Sequence, residues 1–314
     1  EDAAPCVERI RLLRECIRTR RELTVLRLTG GPSAREMLPS GIMACVVKLL
    51  GAEYRSIRAR TVDVDLGPED EARLVALIRD ELASGDPHGE IRHRDGVRRE
   101  PVLETLASLG RESLAKTPSR GMPVFPDQVY VVTGGMGGIG SRVARLLVER
   151  GARKLVLTGR SPLPPRREWD AILGRDNGDP NTRNRIERVQ RLEDMGASVA
   201  LYSGSLTDRE RLARFFGDIR GRWGDVGGVV HCAGEFIKTD PAFVRKSIEE
   251  MEAVFEPKVT GLIALHQELK DDPLRFFILF SSISASVPAL APGFLDYAAA
   301  NAFMDAYAER QAAL

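Results

Sequence analysis

The sequence predicts an α/β protein built on a doubly wound parallel sheet, and three observations carry that prediction. Residues 129–147, VYVVTGGMGGIGSRVARLL, read as a valine-rich buried strand, a glycine-rich turn and a helix with Ile139, Val143, Leu146 and Leu147 at helical spacing. From Val129 onward strand and helix alternate without interruption, which right-handed crossovers wind into an open parallel sheet. Residues 1–115 also alternate helix and strand. They lack a glycine-rich phosphate turn and any cluster of acid, base and nucleophile, so they read as scaffold.

Taken in order, residues 6–20 have helical periodicity (Val7, Ile10, Leu13, Cys16, Ile17), and 23–28 form a strand stopped by Gly30-Gly31-Pro32. Residues 42–54 form a helix with Val46, Val47, Leu49 and Leu50 on its apolar face. Residues 58–66 alternate like a strand, 70–82 are helical, and the charge-dense 89–102 suits an edge hairpin. Residues 116–126, KTPSRGMPVFP, hold three prolines and a glycine without periodicity, and so divide 1–120 from 121–314. Strands then fall at 129–132, 154–159, 198–201, 226–231 and 275–280, with helices at 185–195, 208–216, 241–253, 257–270 and 298–311. Residues 161–184 are a long, polar, proline-bearing connection.

Composition narrows the partners. Charged residues make up 29% of the 314 and apolar ones 43%, with a formal net charge of +1, so nothing points to nucleic acid or an anionic membrane. The four cysteines, Cys6, Cys16, Cys45 and Cys232, are scattered without a C-x-x-C pair, as reduced thiols of a cytoplasmic protein are. No apolar run is long enough to span a membrane, and no signal peptide is visible. A chain that opens on Glu1 reads as a segment of a longer polypeptide.

The chemistry falls at the strand carboxyl ends, where a doubly wound sheet holds its ligand. Gly135, Gly137 and Gly140 fit the general dinucleotide spacing, while Thr133-Gly134, Gly138 and Gly140 fit T-G-x-x-x-G-x-G. Side chains there would keep the backbone from a pyrophosphate that the first helical N–H groups hold. After the second strand of this half stand Arg160 and Ser161 and no acid, which suits a 2′-phosphate and hence NADPH. After the fourth comes His231-Cys232-Ala233-Gly234; no second ligand lies at metal spacing, and the small residues let backbone pass beside a nicotinamide. After the fifth lies FSSISAS, with Ser281 and Ser282 at the strand end, followed by Tyr297 and Asn301 at i and i+4 of a helix. A serine and a tyrosine hydroxyl together hydrogen-bond a ketone oxygen and supply its proton when hydride arrives. A phenol ordinarily ionises near pH ~10, so an ammonium is needed to stabilise its anion, and Lys258 is the candidate.

Ordinary short-chain dehydrogenases carry Y-x-x-x-K; here the order is Tyr297-x-x-x-Asn301, with the lysine in Glu256-Pro257-Lys258-Val259-Thr260-Gly261. With TGGMGGIG, HCAG, LFSSIS and DYAAANAFMDAYA, this exchange resembles the ketoreductase domain of modular polyketide synthases, over residues 129–314. Residues 1–115 resemble the truncated Rossmann-like structural subdomain that precedes its catalytic half. The long connection and Gly204-Ser205 resemble synthases whose acyltransferases act in trans. The resemblance implies NADPH-dependent reduction of a β-ketoacyl chain on the phosphopantetheine arm of an acyl carrier protein, beside neighbouring synthase domains. It implies Tyr297 as proton donor, Ser282 on the β-keto oxygen, Lys258 on the nicotinamide ribose and Asn301 supporting a lysine-linked proton relay. Gly135, Met136, Gly137 and Ile139 would line the pyrophosphate, and Ser205, Leu206, Ala233 and Gly234 the rest of the cofactor. Rival readings are a domain of this kind kept for scaffolding or epimerisation, and a free-standing reductase of small metabolites.

Departures from the pattern concern particular residues. Counting back from Tyr297 points to Ser284, whereas the motif points to Ser282, which we favour. Ser205 stands where the family places an adenine-contacting aspartate, so that contact is lost or supplied by backbone. The family's next strand, its substrate lid and the first strand of the structural subdomain are not in the sequence. The L-D-D motif of one stereochemical class is missing at 236–238, and the absent aspartate leans toward the L-hydroxy product; the tryptophan of the other class is also missing at 287–289.

Overall fold

The computed structural model describes residues 4–20, 22–30, 37–65, 70–86, 89–105, 122–174, 179–235 and 242–313. They fall into two compact units, one of residues 1–119, 236–255 and 281–314, the other of 120–235 and 256–280.

In the first unit β1 (Leu23–Gly30), β2 (Ile57–Val64) and β3 (Glu90–Arg94) are parallel neighbours, and β4 (Val97–Arg99) closes the edge antiparallel to β3. The expected hairpin turns on Asp95-Gly96, both at positive φ, as a tight primed turn requires. Helices Met37–Glu53 and Leu295–Ala313 pack on each other, with Val46, Leu49, Leu50, Ala298 and Phe303 buried. Helix Ala4–Thr19 is tied by Arg14, whose Nη2 donates to the Val244 carbonyl at 2.8 Å. The Glu53 carboxylate accepts from the Phe243 and Gly293 amides at 2.7 and 3.4 Å.

The second unit holds a five-stranded parallel sheet: β5 (Val129–Thr133), β6 (Lys154–Gly159), β7 (Ser198–Ser203), β8 (Val226–His231) and β9 (Phe276–Leu279), in the order β7-β6-β5-β8-β9. The strands alternate between two cores. Tyr130, Val132, Leu155, Leu157 and Val230 meet Leu147, Trp169, Ile186, Val189 and Leu192 on one face. Val129, Val131, Val156, Tyr202 and Val229 meet Leu212, Phe216, Ile219, Leu265 and Leu269 on the other. Burial on both faces is why the central strands β5, β6 and β8 read as near-continuous apolar runs. Strand order reverses between β5 and β8, which opens a crevice at the carboxyl ends there.

Some boundaries differ from the sequence expectation. In helix Gly138–Glu149 the inward face is Gly140, Ala144, Leu147 and Val148, while Ile139 and Leu146 are 59% and 43% exposed. The next long helix starts at Pro180 instead of Arg185, because Asp179 caps it, accepting from the Asn181 and Thr182 amides at 3.2 and 2.9 Å. A short helix, Trp169–Leu173, interrupts the long connection, and residues Glu256–Thr260 form a π-helical turn leading into helix Gly261–Leu269. Among the described residues no helix is long and apolar enough to cross a membrane.

Candidate active site

The glycine turn after β5 is shaped by backbone contacts. Gly134 has φ +62°, and a Cβ there meets the Ala233 backbone at 3.2 Å. At Gly140 a Cβ falls 2.2 Å from the Gly134 carbonyl oxygen, so any side chain would push the helix off the turn. The Gly137 amide donates to the Gly134 carbonyl at 2.8 Å, and the helix begins with Ser141 N–H on the Gly137 carbonyl. No side chain caps that N-terminus, so the helix's positive end there, with the Gly138, Ile139 and Gly140 amides, is not offset by a capping oxygen. Nearby, the carboxyl ends of four strands line one pocket, with Gly134 from β5, Thr158, Gly159 and Arg160 from β6, Gly204, Ser205 and Leu206 from β7, and Ala233 and Gly234 from β8. Glu256, Pro257 and Gly261 complete it.

A polar clamp holds the β5 and β8 ends. The Thr133 hydroxyl accepts from the Ala233 amide at 3.0 Å and lies 2.9 Å from His231 Nδ1. Which of the two atoms donates in that contact follows the imidazole tautomer, and either tautomer keeps the two strand ends joined. Nε2 makes no hydrogen bond of normal geometry, and the nearby Pro257 carbonyl only weakly opposes the effect of burial. Burial, with the Lys258 charge beside it, depresses the His231 pKa to about 3, so the ring is neutral. His231 is thus a structural residue, which its place beside Cys232 did not disclose.

Lys258 sits in the π-helical turn, 4% exposed, and its Nζ donates to the Phe280 carbonyl at 3.2 Å. Its stem runs against Gly234, where a Cβ would come 2.8 Å from Lys258 Cε. Gly234 is small because the lysine passes there.

Ser282, Tyr297 and Asn301 belong to the other unit. Ser282 caps the short helix Ile283–Ser286, accepting from the Ser284 amide at 3.3 Å, and the two hydroxyl oxygens lie 3.0 Å apart. The motif count and the spacing count therefore converge on two serines in hydrogen-bond contact. Ser284 is buried and Ser282 half-buried. Helix Leu295–Ala313 begins earlier than predicted, placing half-buried Tyr297 in its first turn. Asn301 is fully buried; its Nδ2 donates to the Tyr297 carbonyl at 2.7 Å, and its own carbonyl accepts from Ser281 at 3.4 Å.

Residues 128–314 match the family model described as KR domain. The chain belongs to the KR family of ketoreductase domains. It is 39% identical to polyketide synthase PksL of Bacillus subtilis over 298 residues, 93% of this chain and 6% of PksL. It is 35% identical to 6-methylsalicylic acid synthase of Aspergillus terreus over 285 residues, 90% of this chain and 15% of that synthase. A ketoreductase domain from the bacillaene assembly line superposes with a TM-score of 0.74 at 25% identity, covering 99% of this chain and 66% of that one. An A1-type ketoreductase superposes with a TM-score of 0.66 at 28% identity, covering 93% of this chain and 56% of that one. The chain thus spans a small part of the synthases it matches.

Around the pocket of this ketoreductase, four expected cofactor residues have partners the sequence did not suggest. The Arg160 guanidinium forms an ion pair with Glu235. The Ser161 carbonyl accepts from Arg185, and Arg188 Nη1 donates to the Met136 carbonyl at 2.7 Å. The Ser205 hydroxyl bonds the Glu256 carboxylate, which places an acid beside the position where the family's aspartate is missing. Leu206 is buried against Gly261. The stereochemical signature at 236–238 lies outside the described residues.

Proposed function

We propose that this ketoreductase domain reduces the β-ketone of an acyl thioester carried by an acyl carrier protein, with NADPH as reductant. The observation that carries the reading is the glycine cradle opening onto a pocket that four strand ends line at the sheet's switch point, with Lys258 buried behind Gly234. The residues present fit a dinucleotide: backbone crowding at Gly134 and Gly140 fixes the tight turn, a Cβ at Gly138 meets nothing within 4 Å, and the helix N-terminus that would take a pyrophosphate has no side-chain cap. Thr133, Gly134, Gly135, Met136, Gly137, Gly138, Ile139 and Gly140 are the pyrophosphate side of the proposed site, and Arg160 with Ser161 its 2′-phosphate end. Ser205, Leu206, Ala233 and Gly234 take the remainder.

When bound, the nicotinamide supplies the hydride to the β-carbon. Ser282, with Ser284 at 3.0 Å to fix its hydroxyl, holds the ketone oxygen. Tyr297 gives its phenolic proton to that oxygen, so C=O becomes CH–OH. Lys258 binds the nicotinamide ribose and favours the phenolate left behind, and Asn301 supports the proton relay that restores Tyr297. Residues 121–314 carry this chemistry in the proposal, and residues 1–120 are scaffold.

The test is NADPH oxidation with a β-ketoacyl-pantetheine thioester. Turnover that falls at least about a hundredfold in Tyr297→Phe, the scale of general acid catalysis, supports reduction. Cofactor binding with α-proton exchange and no change in the β-ketone would replace it with the epimerising reading.

A further inference from the structure

We propose that Glu235 sets cofactor preference in this domain: its carboxylate competes with the cofactor's 2′-phosphate for the Arg160 guanidinium. The inference rests on the dinucleotide reading of the pocket and names a residue that acts against part of it. Arg160 follows β6 and lines the pocket; Glu235 follows directly on Ala233-Gly234, which line it from β8. The two side chains form an ion pair in which Arg160 is 58% exposed and Glu235 29%. A pair so exposed is weak and exchangeable, so a stronger anion can displace the carboxylate.

The neighbouring guanidiniums do not relieve the competition. Arg185 already donates to the Ser161 carbonyl and lies 3.7 Å from the Met136 sulfur, and Arg188 donates to the Met136 carbonyl. Arg160 is the one turned to a carboxylate at the pocket mouth. A 2′-phosphate arriving there must exchange with Glu235 and then lie beside a carboxylate of its own sign. A free ribose 2′-hydroxyl meets no such penalty, because a carboxylate is the acceptor it uses in NAD-binding sites. Glu235 therefore lowers affinity for NADPH and spares NADH.

The test measures dissociation constants of NADPH and NADH by fluorescence titration, without substrate, for wild type, Glu235→Gln, Arg160→Ala and the double variant. Glu235→Gln is expected to tighten NADPH about two- to fivefold, the range of an exposed ion pair, and to leave NADH unchanged or weaker. On the Arg160→Ala background the same change has a smaller effect. If wild type prefers NADPH and Glu235→Gln leaves the NADPH-to-NADH ratio unaltered, the inference is overturned while the NADPH reading stands. If wild type shows no preference and Glu235→Gln creates one, competition is supported and the plain NADPH reading fails. No preference in either protein overturns both.

Discussion

Thr133 and His231 are 98 residues apart in sequence, and 2.9 Å separates the hydroxyl of one from Nδ1 of the other. Through that contact, and through the Ala233 amide that the same hydroxyl accepts, the β5 and β8 ends are fixed at the point where the sheet reverses. Replacing the hydroxyl by an isosteric methyl leaves a buried imidazole nitrogen and an amide without their partner. Thr133→Val is therefore expected to cost about 1–3 kcal/mol, read as a lower urea midpoint, with Thr133→Ser losing less.

The same histidine gives a pH signature. Its pKa is about 3 in the fold against an ordinary 6.5, so below pH 6.5 the unfolded chain binds a proton that the folded chain refuses. Stability from this group is complete above pH 6.5 and is lost as pH falls toward 3, at up to ~1.4 kcal/mol per pH unit. Between pH 7 and 5, before most carboxylates titrate, wild type is expected to lose stability more steeply than His231→Gln. Parallel curves would show that His231 ionises in the fold.

Two glycines four or fewer residues from the turn separate packing from permissiveness. A Cβ at Gly140 meets the Gly134 carbonyl oxygen at 2.2 Å, whereas one at Gly138 meets nothing within 4 Å. Gly140→Ala is expected to destabilise the domain and abolish saturable NADPH binding. Gly138→Ala is expected to leave stability unchanged or raised by about 0.5–1 kcal/mol, through the lower entropy of the unfolded chain. Equal effects at the two positions in thermal unfolding would contradict the geometry.

Beside Tyr297, Asp296 is 1% exposed and accepts from Lys246 Nζ at 2.6 Å, with its second oxygen lacking a hydrogen bond. Removing the ammonium alone strands a buried carboxylate. Lys246→Met is expected to cost about 3–5 kcal/mol by denaturant unfolding, and Lys246→Met with Asp296→Leu substantially less. A double variant as unstable as the single one would count against the pair.

The sheet of the second unit is legible because its central strands β5, β6 and β8 are buried on both faces and its strands are bracketed by turns. The glycine turn was legible because backbone crowding there admits little else. Helix Pro180–Asp194 was read short, since its apolar residues begin at Ile186; the overlooked signal was Asp179-Pro180, an N-cap followed by a proline. Ile139 shares the helical spacing of Val143, Leu146 and Leu147, yet the helix turns it outward at 59% exposure, which spacing alone does not reveal. The serine ambiguity arose from treating Ser282 and Ser284 as alternatives when they are hydrogen-bond partners. The Arg160–Glu235 and Thr133–His231 contacts join separate strand ends, and no local period announces them.

The central claim is that hydride reaches the β-carbon of a thioester-bound ketone. The most direct measurement follows deuterium from NADPH labelled at the transferring position of nicotinamide C4 into a β-ketoacyl-pantetheine thioester, by mass spectrometry and NMR. The account predicts deuterium at the β-carbon of a β-hydroxy product, and none with Tyr297→Phe. Unlabelled thioester with its ketone intact, in protein that still binds NADPH, would contradict it.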